Sequence, residues 1–112
     1  MASIEQGGNV NLSPILTGVN INPYSVIGNG AQTVTTAGTS VQLASSTSIK
    51  TVTIRAKVSN TGLIYVGSSS VSSVNGFQLS PAETVSLDLD NLSKIYVDAA
   101  SNGDGVTYVY LS

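Results

Sequence analysis

From residue 31 to the C-terminus, apolar and polar residues alternate in short runs, each closed by glycine, asparagine, serine or proline. The clearest run covers residues 49–58. Val52, Ile54, Ala56 and Val58 fall on one face, and Thr51, Thr53, Arg55 and Lys57 on the other. A period of two sends successive side chains to opposite faces, so this run predicts a half-buried β-strand. The same reasoning predicts strands over 32–36, 40–44, 63–67, 77–79, 84–90, 94–99 and 106–111. Val85, Leu87 and Leu89 face inward in one of these, and Ile95 and Val97 share a face in another. Residues 63–67 are apolar on both faces, which predicts a central strand or one covering an interface.

Turn chemistry separates the runs. Asn60-Thr61-Gly62 reads as a hairpin turn, and Asn102-Gly103-Asp104-Gly105 as a tight one. Ser80-Pro81-Ala82-Glu83 carries a proline that presets φ. Ala37-Gly38 and residues 91–93 mark further reversals. Ile64-Tyr65-Val66 and Ile95-Tyr96-Val97 echo each other, although two short matches do not make a repeat. No stretch has helical periodicity. The expected fold is all-β: an antiparallel β-sandwich or small barrel, Greek-key or jelly-roll like.

Residues 1–30 differ from the rest. Gly7, Gly8, Asn9, Asn11, Pro14, Asn20, Asn22, Pro23, Gly28, Asn29 and Gly30 interrupt them repeatedly, yet large aliphatics lie between. A flexible linker does not carry so many. Two readings stand: a first strand or two of the same domain, or an extended N-terminal arm that docks on a neighbouring subunit or a larger surface. Dividing the chain into an arm (1–30) and a β-domain (31–112) makes Leu12, Ile15, Leu16, Val19, Ile21 and Tyr24 the arm's candidate contacts.

Composition narrows the function. The 112 residues contain no His, Cys or Trp, and 9% are charged. General acids, bases, nucleophiles and thiolate metal sites thus lack their usual residues, which points away from an enzyme and from any cofactor. Four Lys and Arg against six Asp and Glu give a net charge of −2, too little positive charge for nucleic acid or an anionic membrane. Before Lys50 the only charge is Glu5, so the N-terminus does not read as a signal peptide, and no apolar run approaches the roughly 20 residues that span a bilayer. Exit from a cell is expected by lysis or within a particle.

Each remaining candidate has a plain structural alternative. Asp88, Asp90 and Asn91 form an acidic cluster that could offer oxygen ligands to calcium, but the EF-hand spacing is missing and a solvated strand face explains it. Asn102 and Asp104 could hold a cation or simply build a turn. Glu83 has no second carboxylate brought near it for glycoside chemistry. Gly28-Asn29-Gly30 precedes no helix, so it is not a phosphate loop. Lys50, Arg55, Lys57 and Lys94 could meet an acidic partner or protect strand edges. Tyr65 and Tyr96 oppose aliphatics on their own strands; they are expected on the outer face, as contact residues for a partner or a sugar.

A small β-body with few charges has edge strands and few guards for them, which predicts a homo-oligomer (dimer or trimer) or firm docking on an assembly. The runs Asn60-Thr61-Gly62-Leu63-Ile64-Tyr65-Val66-Gly67, Gly76 to Leu79, Ser80-Pro81-Ala82-Glu83-Thr84-Val85-Ser86-Leu87 and Asp90-Asn91-Leu92-Ser93-Lys94-Ile95-Tyr96-Val97 resemble small β-domains in virion proteins of tailed bacteriophages. These are head decoration (cement) proteins and head-fibre or tail components. The family turn is more often Pro-Gly-Glu, and Ala82 replaces that Gly. The resemblance implies a structural protein of the virion, made in the host bacterial cytoplasm, that seats on the major capsid protein or another virion protein and stabilises the head. A host-surface or glycan-binding module of a fibre or tail appendage is the alternative it allows.

Overall fold

The computed structural model describes residues 24–112. Eight strands alternate between two four-stranded antiparallel sheets: β1 (Ile27–Thr33), β2 (Val41–Gln42), β3 (Thr51–Ala56), β4 (Ile64–Gly67), β5 (Phe77–Leu79), β6 (Thr84–Asp88), β7 (Tyr96–Ala99) and β8 (Gly105–Leu111). The strand orders are β1-β8-β3-β6 and β2-β7-β4-β5. Only β4 and β5 are consecutive and paired; every other connection crosses from one sheet to the other.

That pattern has a simple origin. β1 pairs with β8, β2 with β7, β3 with β6 and β4 with β5, so the chain is one long two-stranded ribbon folded at residues 68–76. Wrapping the ribbon brings β8 against β3 and β7 against β4, which completes both sheets. This is the jelly roll, eight strands in two interlocked Greek keys.

The wrap buries the inward face of each strand. Val52, Ile54 and Ala56 of β3 meet Ile64 and Val66 of β4 and Val97 and Ala99 of β7, with Val34, Leu43, Leu79, Leu92 and Val106 closing the core. Val85, Leu87 and Leu89 pack against it half-buried, on the inward side expected for them. β4 is interior to its sheet, as its two-faced apolar run suggests.

Three local expectations change. First, Asn60-Thr61-Gly62 and Asn102-Gly103-Asp104-Gly105 are not hairpin turns, because the strands they join lie in opposite sheets. Second, Val58 is exposed: β3 stops at Ala56, and Asn60 N–H bonds back to Lys57 C=O at 3.0 Å, turning the chain away. Third, β1 starts at Ile27, so the boundary drawn at residue 30 falls inside a strand, and the expected strand over 32–36 is largely a crossing. The turn expected at residues 91–93 is present as a 3₁₀ turn, Leu92–Lys94, capped by Asn91 Oδ1 accepting from Ser93 N–H.

Glycine places β1. Gly28 and Gly30 face inward opposite Tyr110 and Tyr108, and a Cβ at either position would collide with the tyrosine ring. The two rings stack 6.4 Å apart and cover this edge of the sheet from inside. An aromatic laid over an edge glycine restores the packing that the missing side chain forfeits. The breakers that suggest an arm are, at 28 and 30, the sockets of a strand.

Candidate functional site

A chain that keeps crossing between sheets gives up ladder hydrogen bonds at each crossing, and buried backbone N–H groups need replacement partners. Side-chain carbonyls and carboxylates supply them here. Asp104, 5% exposed, accepts Thr61 N–H at 2.9 Å and Gly62 N–H at 2.8 Å. Beside it Asn60 and Gly105 exchange two bonds: Asn60 Nδ2 donates to Gly105 C=O at 2.8 Å and Gly105 N–H donates to Asn60 Oδ1 at 2.9 Å. Across the first crossing, Asn102 Oδ1 accepts Ala37 N–H at 2.8 Å, and Asp98 Oδ1 accepts Gly38 N–H at 2.9 Å. Asn91 Oδ1 accepts Thr47 N–H at 3.0 Å across another.

These clasps decide several candidate ligands. Asn102 and Asp104 each accept backbone N–H groups, Asn102 from Ala37 and Asp104 from Thr61 and Gly62. Asp90 is ion-paired with Lys94 at 2.8 Å, and the Lys94 hydrogen bond holds its carboxyl below the usual aspartate range. Asn91 is a cap, and Asp88 stands exposed at the end of β6. Glu83 Oε1 accepts Ser80 N–H at 2.8 Å within its own turn. Among the described residues no cluster of three metal-ligating side chains forms.

The basic residues separate as well. Arg55 lies on β3, an interior strand, so it guards no edge; it projects from a solvent face of threonines. On that face Thr53 Oγ1 and Ser86 Oγ hydrogen-bond at 2.8 Å across β3 and β6. Lys94 belongs to the ion pair with Asp90.

The two tyrosines singled out by strand pattern have different fates. Tyr65 does point outward from β4, but the loop over 68–76 returns beside it, bringing Gly76 so close to the Tyr65 Cβ that no side chain would fit there, and Tyr65 is 6% exposed. It is therefore no surface contact. The strand pattern specifies the face, and only the loop's return path specifies the cover. Tyr96, opposite Gln42 and Gly67 on the same outer face, is half-buried. Tyr24 is exposed at the entrance to β1. Leu12, Ile15, Leu16, Val19 and Ile21 lie outside the described residues.

Two apolar features remain open. One is a cleft of about 330 Å³ where the sheets part beside β6, walled by Val66, Ile95, Val85, Leu87 and Leu89, with Phe77 at 59% exposure on its rim. Its polar lining is Ser68 and Lys94, and Ser68 Oγ bonds Ser70 Oγ at 3.1 Å. A cavity so lined is shaped for apolar groups. The other is the outer edge of β1, which no strand among the described residues covers, with Val26 and Ile27 exposed at its start. The signal for both was present in the sequence as inward-facing Val85, Leu87 and Leu89 and as a charge-free run through residue 33.

No protein-family model matches the chain, and no curated protein matches it.

Proposed function

We propose that this protein is a non-enzymatic structural component of a phage virion, a capsid decoration (cement) protein that binds the major capsid protein and stabilises the assembled head. The observation that carries the reading is how the polar side chains are used. Glu83, Asp90, Asn91, Asp98, Asn102 and Asp104 are engaged in turns, caps, ion pairs and clasps, while the cleft beside β6 and the start of β1 present apolar groups to solvent. A surface of this kind supports adhesion and offers no reagent for chemistry. The jelly roll is compatible with the reading; the fold alone hosts many functions.

The mechanism is linkage. A protein that binds the assembled shell better than its free subunits stabilises the shell by the difference. Many copies on one lattice add avidity without new contacts. The protein would be made in the host bacterial cytoplasm and end on the particle.

The test is quantitative mass spectrometry of purified particles carrying the gene, with electron cryomicroscopy of the heads. Many copies in regular array on the shell support the proposal. Absence from the particle, or a few copies confined to the tail, overturns it.

A further inference from the structure

The four sheet edges are treated unequally. β2 is two residues long and β5 three. β6 ends in Asp88 and is flanked by Glu83 and the Asp90–Lys94 pair. Short length and charge are the devices that keep an edge from recruiting another strand. β1 has neither: it runs seven residues, Ile-Gly-Asn-Gly-Ala-Gln-Thr, without a charge or a proline.

Its free backbone groups can be identified. Val26 and Ser112 exchange both backbone bonds at 2.9 Å, which sets the alternation along β1 and β8. Gly28, Gly30 and Gln32 therefore bond inward to β8, while Ile27, Asn29 and Ala31 turn N–H and C=O outward, where no partner exists among the described residues. Thr33 is excluded from that row, because Gln32 Oε1 takes its N–H at 3.0 Å. The Gln32 side chain also donates to Gln42 C=O at 2.7 Å and seals the gap to β2. The open row thus ends at Ala31 and is centred on Asn29.

We propose that β1 is the dimer interface of this protein, pairing antiparallel with β1 of a second copy about a two-fold axis at Asn29. A row of three outward residues with Asn29 in the middle is complementary to itself: Asn29 faces Asn29, and Ile27 faces Ala31 in both directions. All the outward donors and acceptors are then satisfied, and the Ile27 side chain, 71% exposed in the single chain, covers Ala31 of the other copy. Gly28 and Gly30 add no bulk on the inner side, where the tyrosine rings already lie. In this register Tyr24 lies opposite Val34 of the other copy. The Tyr24 contact at each end extends the interface beyond the strand pair, which by itself buries less than the roughly 1,200 Å² of a stable interface. The inference is independent of whether the protein binds a phage head.

The experiment uses the full chain. Sedimentation equilibrium should show a dimer for the wild type and loss of the dimer in both Asn29→Lys and Asn29→Asp, because each places like charges directly opposite across the axis. Mixing the two variants should restore a dimer, a result specific to residue 29 facing itself. Amide exchange supplies the second reading: Ile27, Asn29 and Ala31 should be protected in the wild type and exchange rapidly in Asn29→Lys, with Gly28, Gly30 and Gln32 protected in both. A monomeric wild type overturns the proposal, as does a dimer that survives in both variants. Variants that lose the dimer but fail to recover it when mixed also overturn it.

Discussion

The carboxylate of Asp104 accepts the backbone N–H of Gly62 at 2.8 Å, joining two crossings that lie far apart in sequence. Thr61 N–H shares the same carboxylate, and both crossings pass from one sheet to the other. Replacing Asp104 with Ala leaves part-buried N–H groups without an acceptor, a cost of about 2–3 kcal/mol. Asp104→Asn keeps one carbonyl oxygen and should cost about half as much. Urea unfolding measures both, and the amides of Thr61 and Gly62 should lose exchange protection ahead of the core strands.

Two glycines should respond differently to alanine. A Cβ at Gly105 would meet the Gln32 carbonyl and the Thr33 Cα, both backbone, which cannot yield without opening the β1–β8 pair. At Gly28 the obstacle is the far end of the Tyr110 ring, which can swing. Overpacking typically costs about 1–3 kcal/mol. Gly105→Ala should fall at the upper end and Gly28→Ala near or below the lower end. Equal losses by thermal or urea unfolding would contradict this ordering.

Ala82 occupies the left-handed region at φ 74°, the third position of a type II turn whose Glu83 N–H reaches Ser80 C=O at 2.9 Å. The turn thus adopts a glycine-favouring conformation despite alanine, with strain as the consequence. Glycine removes about 1–2 kcal/mol of that strain and returns part of it as unfolded-chain entropy. Ala82→Gly should raise stability by about 0.5–1 kcal/mol, seen as a higher urea midpoint with an unchanged slope.

Tyr108 supplies a pH signature. Burial raises its phenol above the ordinary tyrosine range of about 10, and the neighbouring Tyr110 adds a smaller push in the same direction. A raised folded value means the contribution is complete below the unfolded value and is lost as pH climbs through the folded one. Stability should therefore fall in the alkaline range above about pH 10, and less steeply in Tyr108→Phe. Unfolding measured at a series of alkaline pH values checks this, and a spectrophotometric titration should show one phenol ionising late.

What lies in the residues alone is the material of a β-sandwich. The period of two through Val52, Ile54 and Ala56 specifies a strand and its buried face, because side-chain direction alternates however the strand is paired. The turn residues mark where the chain bends. They do not say whether the bend returns the chain to its own sheet, since hairpin and crossing use the same Asn, Asp and Gly chemistry. That choice depended on the ribbon wrapping as a whole, which placed β3 and β4, and likewise β7 and β8, on opposite sides of one core. The same step turned Asp104 and Asn102 from apparent ligands into backbone acceptors, covered Tyr65 with a loop, and seated Gly28 and Gly30 beneath Tyr110 and Tyr108. Local pattern sets what each residue can do, and long-range closure sets which neighbour it does it with.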